Sequence, residues 1–361
     1  MKVKKISILG TVGVPGNYGG FETLAENLVR YHSGLDGSVT LTVYCSSGSY
    51  PEKSDTYLSA ELKYLPLNAN GLQSIFYDMW SLLSAAWNRY DTILLLGVSG
   101  AIILPIIRFI SPTRIVTNID GIEWRRQKWR GPAKRFLKFS ERIAVRYSNE
   151  VIADNDGIAD YVRTAYGADC HVIAYGGDHA GDTEAASVAE YNLPEQYAFT
   201  VCRIEPENNV DVIVDAFARS GTLPLVIVGN WEKSEYGREI RRKYAVYDNL
   251  YLLDPIYHLG KLKTLRSQAY IYLHGHSAGG TNPSLVEAMS LGCPVFAFDC
   301  NFNRNTTENK ALYFKSGEDL TTTLASVDPP TLAKVSNDML EVAERRYRWN
   351  IIAQSYFELL A

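Results

Sequence analysis

The chain has 361 residues, 46% apolar and 21% charged, with a formal net charge of −4. That length supports two domains with full cores, and the charge balance gives no global pull towards nucleic acid. The five cysteines (Cys45, Cys170, Cys202, Cys293, Cys300) are odd in number, lack Cys-x-x-Cys spacing and lie in or beside apolar runs, so they read as buried free thiols of a reducing compartment.

The N-terminus is basic, then apolar, too short for a signal peptide, and reads as a first strand over 5–9. It runs into Gly13-Val14-Pro15-Gly16-Asn17-Tyr18-Gly19-Gly20. Phe21, Leu24, Ala25, Leu28 and Val29 then recur at the spacing of one helix face. A Gly-Gly turn at a helix start presents backbone N–H groups and the positive end of the dipole, which suits a phosphate. Further strands are predicted at 39–44, 92–96, 114–117 and 150–153, and strand-helix alternation implies a parallel, doubly wound α/β sheet.

Residues 92–110 are nearly long enough to span a bilayer. Gly97, Ser99, Gly100, Pro105 and Arg108 divide them into a buried strand, a turn and a short helix, with a helix dipping into a membrane surface as the alternative. Asp120 follows a strand and precedes Gly121, a good place for a catalytic or sugar-orienting carboxylate. Beyond it Trp124, Arg125, Arg126, Lys128, Trp129 and Arg130 open a basic, aromatic segment that continues through Lys134, Arg135, Lys138 and Arg142 against only Glu141. Such a segment suits an anionic membrane surface or a lipid-linked phosphate, the plain alternative being a solvated basic face. No nucleic-acid motif accompanies it.

Residues 181–192 are small, acidic and polar, and read as an interdomain linker. The division expected is 1–178, a linker over 179–195, a second α/β domain over 196–340 and a C-terminal helix over 341–361. The second domain carries strand patterns at 197–201, 224–229, 250–253, 269–273 and 294–298, and one long helical pattern covers about 331–360. Arg203 follows a strand, where α/β proteins bind ligands, and a guanidinium there can clamp a diphosphate; pairing with Glu205 or Glu207 is the plain alternative. The strongest run is Gly279-Gly280-Thr281-Asn282-Pro283-Ser284-Leu285-Val286-Glu287. Pro283 suits a first helical turn, Thr281 or Asn282 its cap, and Glu287 can accept hydrogen bonds from a ribose diol or be an ordinary solvated carboxylate. His274 and His276 alternate on a strand end, on opposite faces unless the strand breaks there, and no third metal ligand follows. His179 reads as a cleft residue. Gly-x-Ser-x-Gly, Walker and complete Gly-x-Gly-x-x-Gly motifs are missing from the sequence, against hydrolase, P-loop NTPase and dehydrogenase readings.

Two glycine turns, each leading into a helix, point to two nucleotide-type domains with a ligand cleft between them. Taken together, residues 10–23, 118–126, 174–178, 203–209 and 274–289 resemble a retaining GT-B glycosyltransferase of family 4, and more narrowly its bacterial polysaccharide rhamnosyltransferase branch. The resemblance implies two Rossmann-like domains with a last helix, around Trp349, crossing back to the first domain. It places Gly19 and Gly20 against donor phosphates and sugar, Arg203 on the diphosphate, Gly280, Thr281, Asn282, Pro283 and Ser284 at a phosphate, Glu287 on the ribose, and Asp120 near the acceptor hydroxyl or reacting sugar. Two positions depart from the broad family: Gly279 stands where it carries a Glu, and Asn208 and Asn209 where a Lys is usual. Both touch donor in the family, so a deoxysugar donor is inferred. The implied activity is metal-independent transfer of a sugar, preferably L-rhamnose from dTDP-L-rhamnose, to a lipid-diphosphate-linked saccharide at the cytoplasmic membrane face, with no cofactor and no metal. The rivals are a UDP-hexose or UDP-N-acetylhexosamine donor, a nucleotide-sugar epimerase, and a non-catalytic membrane- or glycan-binding assembly protein.

Overall fold

The computed structural model describes residues 3–361 apart from 17–18, 36, 72, 126–128, 130 and 222. The chain forms two compact units, Met1–Ala174 with Asn350–Ala361, and Tyr175–Trp349.

In the first unit the elements run β1 (Lys4–Leu9), α1 (Gly20–His32), β2 (Val39–Ser46), β3 (Thr56–Tyr57), β4 (Ala60–Leu65), α2 (Gln73–Trp87), β5 (Thr92–Leu96), α3 (Leu104–Ile110), β6 (Arg114–Asn118), α4 (Gly131–Tyr147), β7 (Glu150–Ala153), α5 (Asp156–Tyr166) and β8 (His171–Val172). The sheet order is β3-β4-β2-β1-β5-β6-β7-β8. Every pairing is parallel except β3 with β4. Central strands are apolar along their length because both sheet faces are covered: Ile6, Ile8 and Leu9 in β1 and Ile93 to Leu96 in β5 are buried. From β4 the chain steps through β5, β6 and β7 to β8 in one direction, so right-handed crossovers place α2, α3, α4 and α5 on one face and α1 on the other.

The second unit runs α6 (His179–Asp182), β9 (Ala198–Val201), α7 (Val210–Ser220), β10 (Leu225–Val228), α8 (Glu235–Tyr244), β11 (Leu250–Leu253), α9 (Leu259–Ser267), β12 (Ile271–His274), α10 (Pro283–Ser290), β13 (Val295–Phe298), α11 (Asn301–Thr306), β14 (Leu312–Phe314), α12 (Gly317–Ser326) and α13 (Pro329–Arg346). Its all-parallel sheet has the doubly wound order β11-β10-β9-β12-β13-β14. Phe217, Trp231, Phe296 and Phe314 fill its core.

All ten strand patterns of the sequence are present, and β3, β4, β8 and β14 add to them. Residues 92–110 form a strand, a one-turn 3-10 helix and α3, and no helix among the described residues is long and apolar enough to cross a membrane. The pattern over 331–360 is not one helix. It breaks between α13 and α14 (Trp349–Leu360) because the loop after β8 interrupts it: Gly177 N donates to Tyr347 O at 2.7 Å and Trp349 N donates to Asp178 Oδ1 at 2.9 Å. Residues 181–186, polar in composition, are held to α9: Lys263 Nζ donates to Gly181 O and Thr183 O, and Thr264 Oγ1 to Ala186 O.

From Asn350 onwards α14 belongs to the first unit. Phe357 stacks on Tyr31 and His32 of α1, with ring centroids 5.7 and 5.8 Å apart. Thr92 Oγ1 donates to Leu360 O at 3.1 Å, and Asn118 Nδ2 to the hydroxyl of fully buried Tyr356 at 2.6 Å. Replacing Tyr356 by Phe strands the buried Asn118 amide, so Tyr356→Phe is expected to lose about 1–3 kcal/mol in denaturant unfolding; an unchanged midpoint would mean that α14 does not depend on this bond.

Candidate functional site

In the second unit, β9 and β12 lie side by side at the point where strand order reverses. The chain leaves them in opposite directions, which opens the crevice that doubly wound proteins use for ligands. The Arg203 segment leaves β9 and the His274 to Ser284 segment leaves β12, so residues far apart in sequence meet. Asn209 Nδ2 donates to Gly275 O at 2.8 Å, and Ser277 donates from both N and Oγ to Glu207 O at 2.9 Å. Asn208 Nδ2 donates to Arg203 O at 2.6 Å. The approach is so close that a Cβ on Gly275 would lie 2.1 Å from Asn208 O. Asn209 takes φ 48 as it starts α7, a left-handed conformation that Asn tolerates better than most residues. The amide N–H groups of Asn208 and Asn209 are thus spent on shaping the loops. The Arg203 side chain is 34% exposed, with Nη1 3.7 Å from Glu205 Oε2; such a half-exposed pair is weak and yields to a stronger anion.

At the mouth of α10 the cap is Asn282. Its Oδ1 accepts from Ser284 N at 3.1 Å and Ser284 Oγ at 2.8 Å, with Pro283 in the first turn. Leu285 N and Val286 N both donate to Asn282 O. The first-turn amides of α10 are therefore satisfied, and the helix offers an anion its dipole through the loop 279–282. Gly279 has φ 121, a conformation L side chains rarely adopt, although open space lies where its Cβ would be. The loop is built for glycine there, so a Glu needs a different backbone. Thr281 is buried.

Glu287, one turn into α10, is not a solvated carboxylate. Buried Arg266 from α9 forms an ion pair and hydrogen bond with its Oε2, and His179 Nε2 lies 3.4 Å from its Oε1. Trp349 Nε1 donates to His179 Nδ1 at 2.9 Å, which leaves the ring proton on Nε2, facing Glu287. Trp349 packs edge-on against Tyr175 at 4.8 Å, and a Cβ on Gly176 would strike its indole at 2.5 Å. A Cβ on Gly177 would lie 2.4 Å from Val286 O, so the glycine pair seats the loop against α10. Burial raises the Glu287 pKa, but Arg266 and His179 outweigh it and hold the carboxyl below the usual carboxylate range. The anion is fixed in position, its edge still 17% exposed.

His274 and His276 do not sit on opposite faces. The strand ends at His274, and the rings stack 4.4 Å apart at 10°. His274 is buried, neither ring nitrogen has a hydrogen-bond partner among the described residues, and burial pushes its pKa down to about 3. Among the described residues no group of three or more His, Cys, Asp or Glu is placed to hold a metal ion.

In the first unit, the turn after β1 is closed by a residue the sequence reading passed over. Glu22, in the first turn of α1, folds back so that its Oε1 accepts from Val12 N at 2.9 Å and Thr11 Oγ1 at 3.1 Å. A Cβ on Gly19, which has φ 137, would lie 1.9 Å from Glu22 Oε2, whereas Gly20 borders open space. An acidic residue in a first helical turn was the available signal. Asp120 follows β6 at φ 59, a costly conformation for a non-glycine residue, with its N donating to Asn118 Oδ1 at 2.8 Å. Trp124 is tied inward: its Nε1 donates to buried Glu141 at 3.2 Å and to Tyr161 OH at 3.3 Å, and Tyr161 and Tyr166 donate to the same carboxylate. Arg125 and Lys138 lie 5.4 and 4.7 Å from its ring centre. Trp129 Nε1 donates to Glu123 at 2.9 Å. Arg126, Lys128 and Arg130 lie outside the described residues. Arg266 gave no sequence signal, since its partner is 21 residues away and only the fold brings the two together.

Residues 183–353 match the family "Glycosyl transferases group 1", and residues 3–178 match "Domain of unknown function (DUF1972)". No curated protein matches. Among solved structures, sucrose-phosphate synthase from Thermosynechococcus elongatus superposes with TM-score 0.81 at 16% identity, covering 99% of this chain and 98% of that one. HepE of Anabaena, solved in complex with UDP, gives TM-score 0.73 at 16% identity with 99% of both chains covered. The trehalose 6-phosphate synthase of Burkholderia multivorans gives 0.74 at 9% identity, covering 100% of this chain and 96% of that one.

Replacing Arg266 by Met leaves Glu287 buried and without its main counter-charge, at a cost of about 3–5 kcal/mol near neutral pH. In the wild type the folded-state pKa of Glu287 is depressed, so its contribution exists above the unfolded pKa and fades as pH falls through the folded value. In Arg266→Met burial dominates and the pKa rises, so the penalty should shrink as pH falls from the variant's raised value through the normal 4.5 and on to the depressed wild-type value. Stability curves for the two proteins that stay parallel across that range would contradict the pairing.

Proposed function

We propose, from the GT-B fold and the match of residues 183–353 to the group 1 glycosyl transferases, that the chain is a glycosyltransferase that moves a sugar from a nucleoside diphosphate donor with retention at the anomeric carbon. The observation that carries this reading is the junction at β9 and β12. A half-exposed arginine follows β9, and a glycine loop leading into a helix N-terminus with a fixed carboxylate one turn further on follows its neighbour β12. Those three features answer the parts of such a donor in order: Arg203 the diphosphate, loop 279–282 the distal phosphate, and Glu287 the ribose diol. The UDP in the complex of HepE is consistent with a nucleotide in this fold.

In the step proposed, the bond from the anomeric carbon to the diphosphate oxygen breaks while the acceptor oxygen bonds to that carbon on the same face. The acceptor proton passes to the departing phosphate oxygen. Arg203 and the positive end of α10 stabilise the charge gathering on the diphosphate, more strongly in the transition state than in the bound donor. Metal is not required in this reading. Asp120, held at φ 59, is the acceptor-side or sugar-orienting carboxylate.

The donor preferred is dTDP-L-rhamnose. Gly279 supports it: at φ 121 the backbone disfavours any side chain, so this loop carries no carboxylate to grip a polar hydroxymethyl group, and a methyl needs none. The acceptor is a lipid-diphosphate-linked saccharide at the cytoplasmic membrane face. A UDP-hexose or UDP-N-acetylhexosamine is the alternative donor.

A thermal-shift screen with dTDP, UDP, GDP and ADP, with and without Mg²⁺, tests the donor directly, because a ligand specific to the folded state stabilises by mass action. dTDP is expected to raise the Tm without metal; a preference for UDP would replace the rhamnosyl reading, and silence from all four would remove the nucleotide. Arg203→Ala is expected to lower turnover by about 10²–10³-fold with the fold intact. Unchanged turnover in that variant would take the diphosphate away from this arginine.

A further inference from the structure

The outer face of α2 is apolar where a surface helix is normally charged. Phe76, Trp80, Leu83 and Trp87 are all exposed, Trp87 at 87%. At 100° per residue they fall within an arc of about 60°, a stripe roughly 16 Å long. Asp78 is the only Asp, Glu, Lys, Arg or His in α2, and it is buried. Next to it on the same side of the sheet, α3 continues the surface with Ile106, Ile110 and Phe109, the last 91% exposed. An uncovered face of this size is the kind that marks a binding surface on a soluble protein.

The charges around the face identify what covers it. On α3 the only charge is Arg108. On α4, which packs against α3, Arg135, Arg142 and Arg146 share one outward stripe with exposed Phe139, while Glu141 is buried beneath. Every exposed charge on α2, α3 and α4 is therefore positive. A second copy docked through this patch would set like charges against one another in an isologous contact, which is unfavourable. A bilayer with anionic headgroups answers both features, taking the aromatic stripe into its interfacial layer and the arginines at its surface.

We propose that the outer layer of the first unit, α2 and α3 with the arginine stripe of α4, seats the protein on an anionic membrane. The membrane contact moves accordingly from Trp124 and Trp129, whose indole N–H groups are bonded inside the unit, to Trp80, Trp87 and Phe109. This assignment shares a membrane partner with the proposed function and rests on none of its chemistry.

The test is flotation with phosphatidylcholine vesicles, with and without phosphatidylglycerol, beside sedimentation velocity over a range of protein concentrations. Wild-type protein should float with the anionic vesicles and stay monomeric. Trp87→Ser with Phe109→Ser should weaken that binding at least about tenfold, and Arg135→Glu with Arg142→Glu should reduce it to the level seen with phosphatidylcholine alone. Nucleotide-induced thermal shifts measured on the same variants report their folding and the donor site separately, so loss of flotation with shifts retained isolates the membrane face. Flotation unaffected by the Trp87 and Phe109 changes overturns the proposal, as does wild-type protein that ignores anionic vesicles. A dimer abolished by those changes would assign the face to a second copy.

Discussion

The contact on which the second unit's site depends is a backbone approach that only glycine permits. Gly275 passes so near Asn208 O that any side chain would collide, and from that point Asn209 and Ser277 bind the two loops together. The approach arises because β9 and β12 are neighbours whose connections leave in opposite directions. Sheet topology brings the loops to one place, and glycine lets them touch. Arg203 projects from one loop and α10 starts from the other, so their separation is set by this junction. Such a junction suits the proposed donor site, which would stabilise charge without reorganising as the charge appears.

Beneath it lies a second layer of support. Glu287 is held by Arg266 from one side and His179 from the other, and His179 is in turn oriented by Trp349. A chain of this kind fixes which carboxylate edge stays exposed and which tautomer the imidazole adopts. It also explains a glycine pair with no ligand role of its own: Gly176 and Gly177 are small because an indole and the backbone of α10 occupy the space their side chains would need. The first unit solves the corresponding problem differently. There Glu22 plugs the turn after β1 with its own carboxylate, and only Gly20 borders open space. The two glycine turns look alike in sequence, yet in one Glu22 lies against Gly19, while in the other Gly279 borders open space beside a helix start.

The aromatic residues divide along similar lines. Trp124 and Trp129 stand out in the sequence because cations surround them, but Glu141 and Glu123 draw their N–H groups inward. Trp80 and Trp87 sit in a helix whose outer face carries no charge and that composition alone would assign to a core. Exposure separates the two pairs. A tryptophan among arginines can be a satisfied structural residue, and one among leucines and serines can be the most exposed aromatic on its helix.

Much of this architecture was legible in the chain itself. Apolar runs of four to eight residues read as strands covered on both faces, and their alternation with helical periods implied parallel sheets. Arg203, Asp120 and Glu287 stand out as candidates in the sequence because each lies at or near the end of a strand or the start of a helix, where α/β proteins bind ligands. Tertiary structure alone decided which of those groups meet. Arg266 reaches Glu287 from another helix, Gly177 and Asp178 cut a continuous helical pattern into α13 and α14, and the end of β12 stacks His276 on His274 where alternation would have parted them. The physical reason is common to all three. Periodicity records how a residue stands on its own element, whereas ion pairs, interruptions and ring stacks depend on which elements the fold sets side by side.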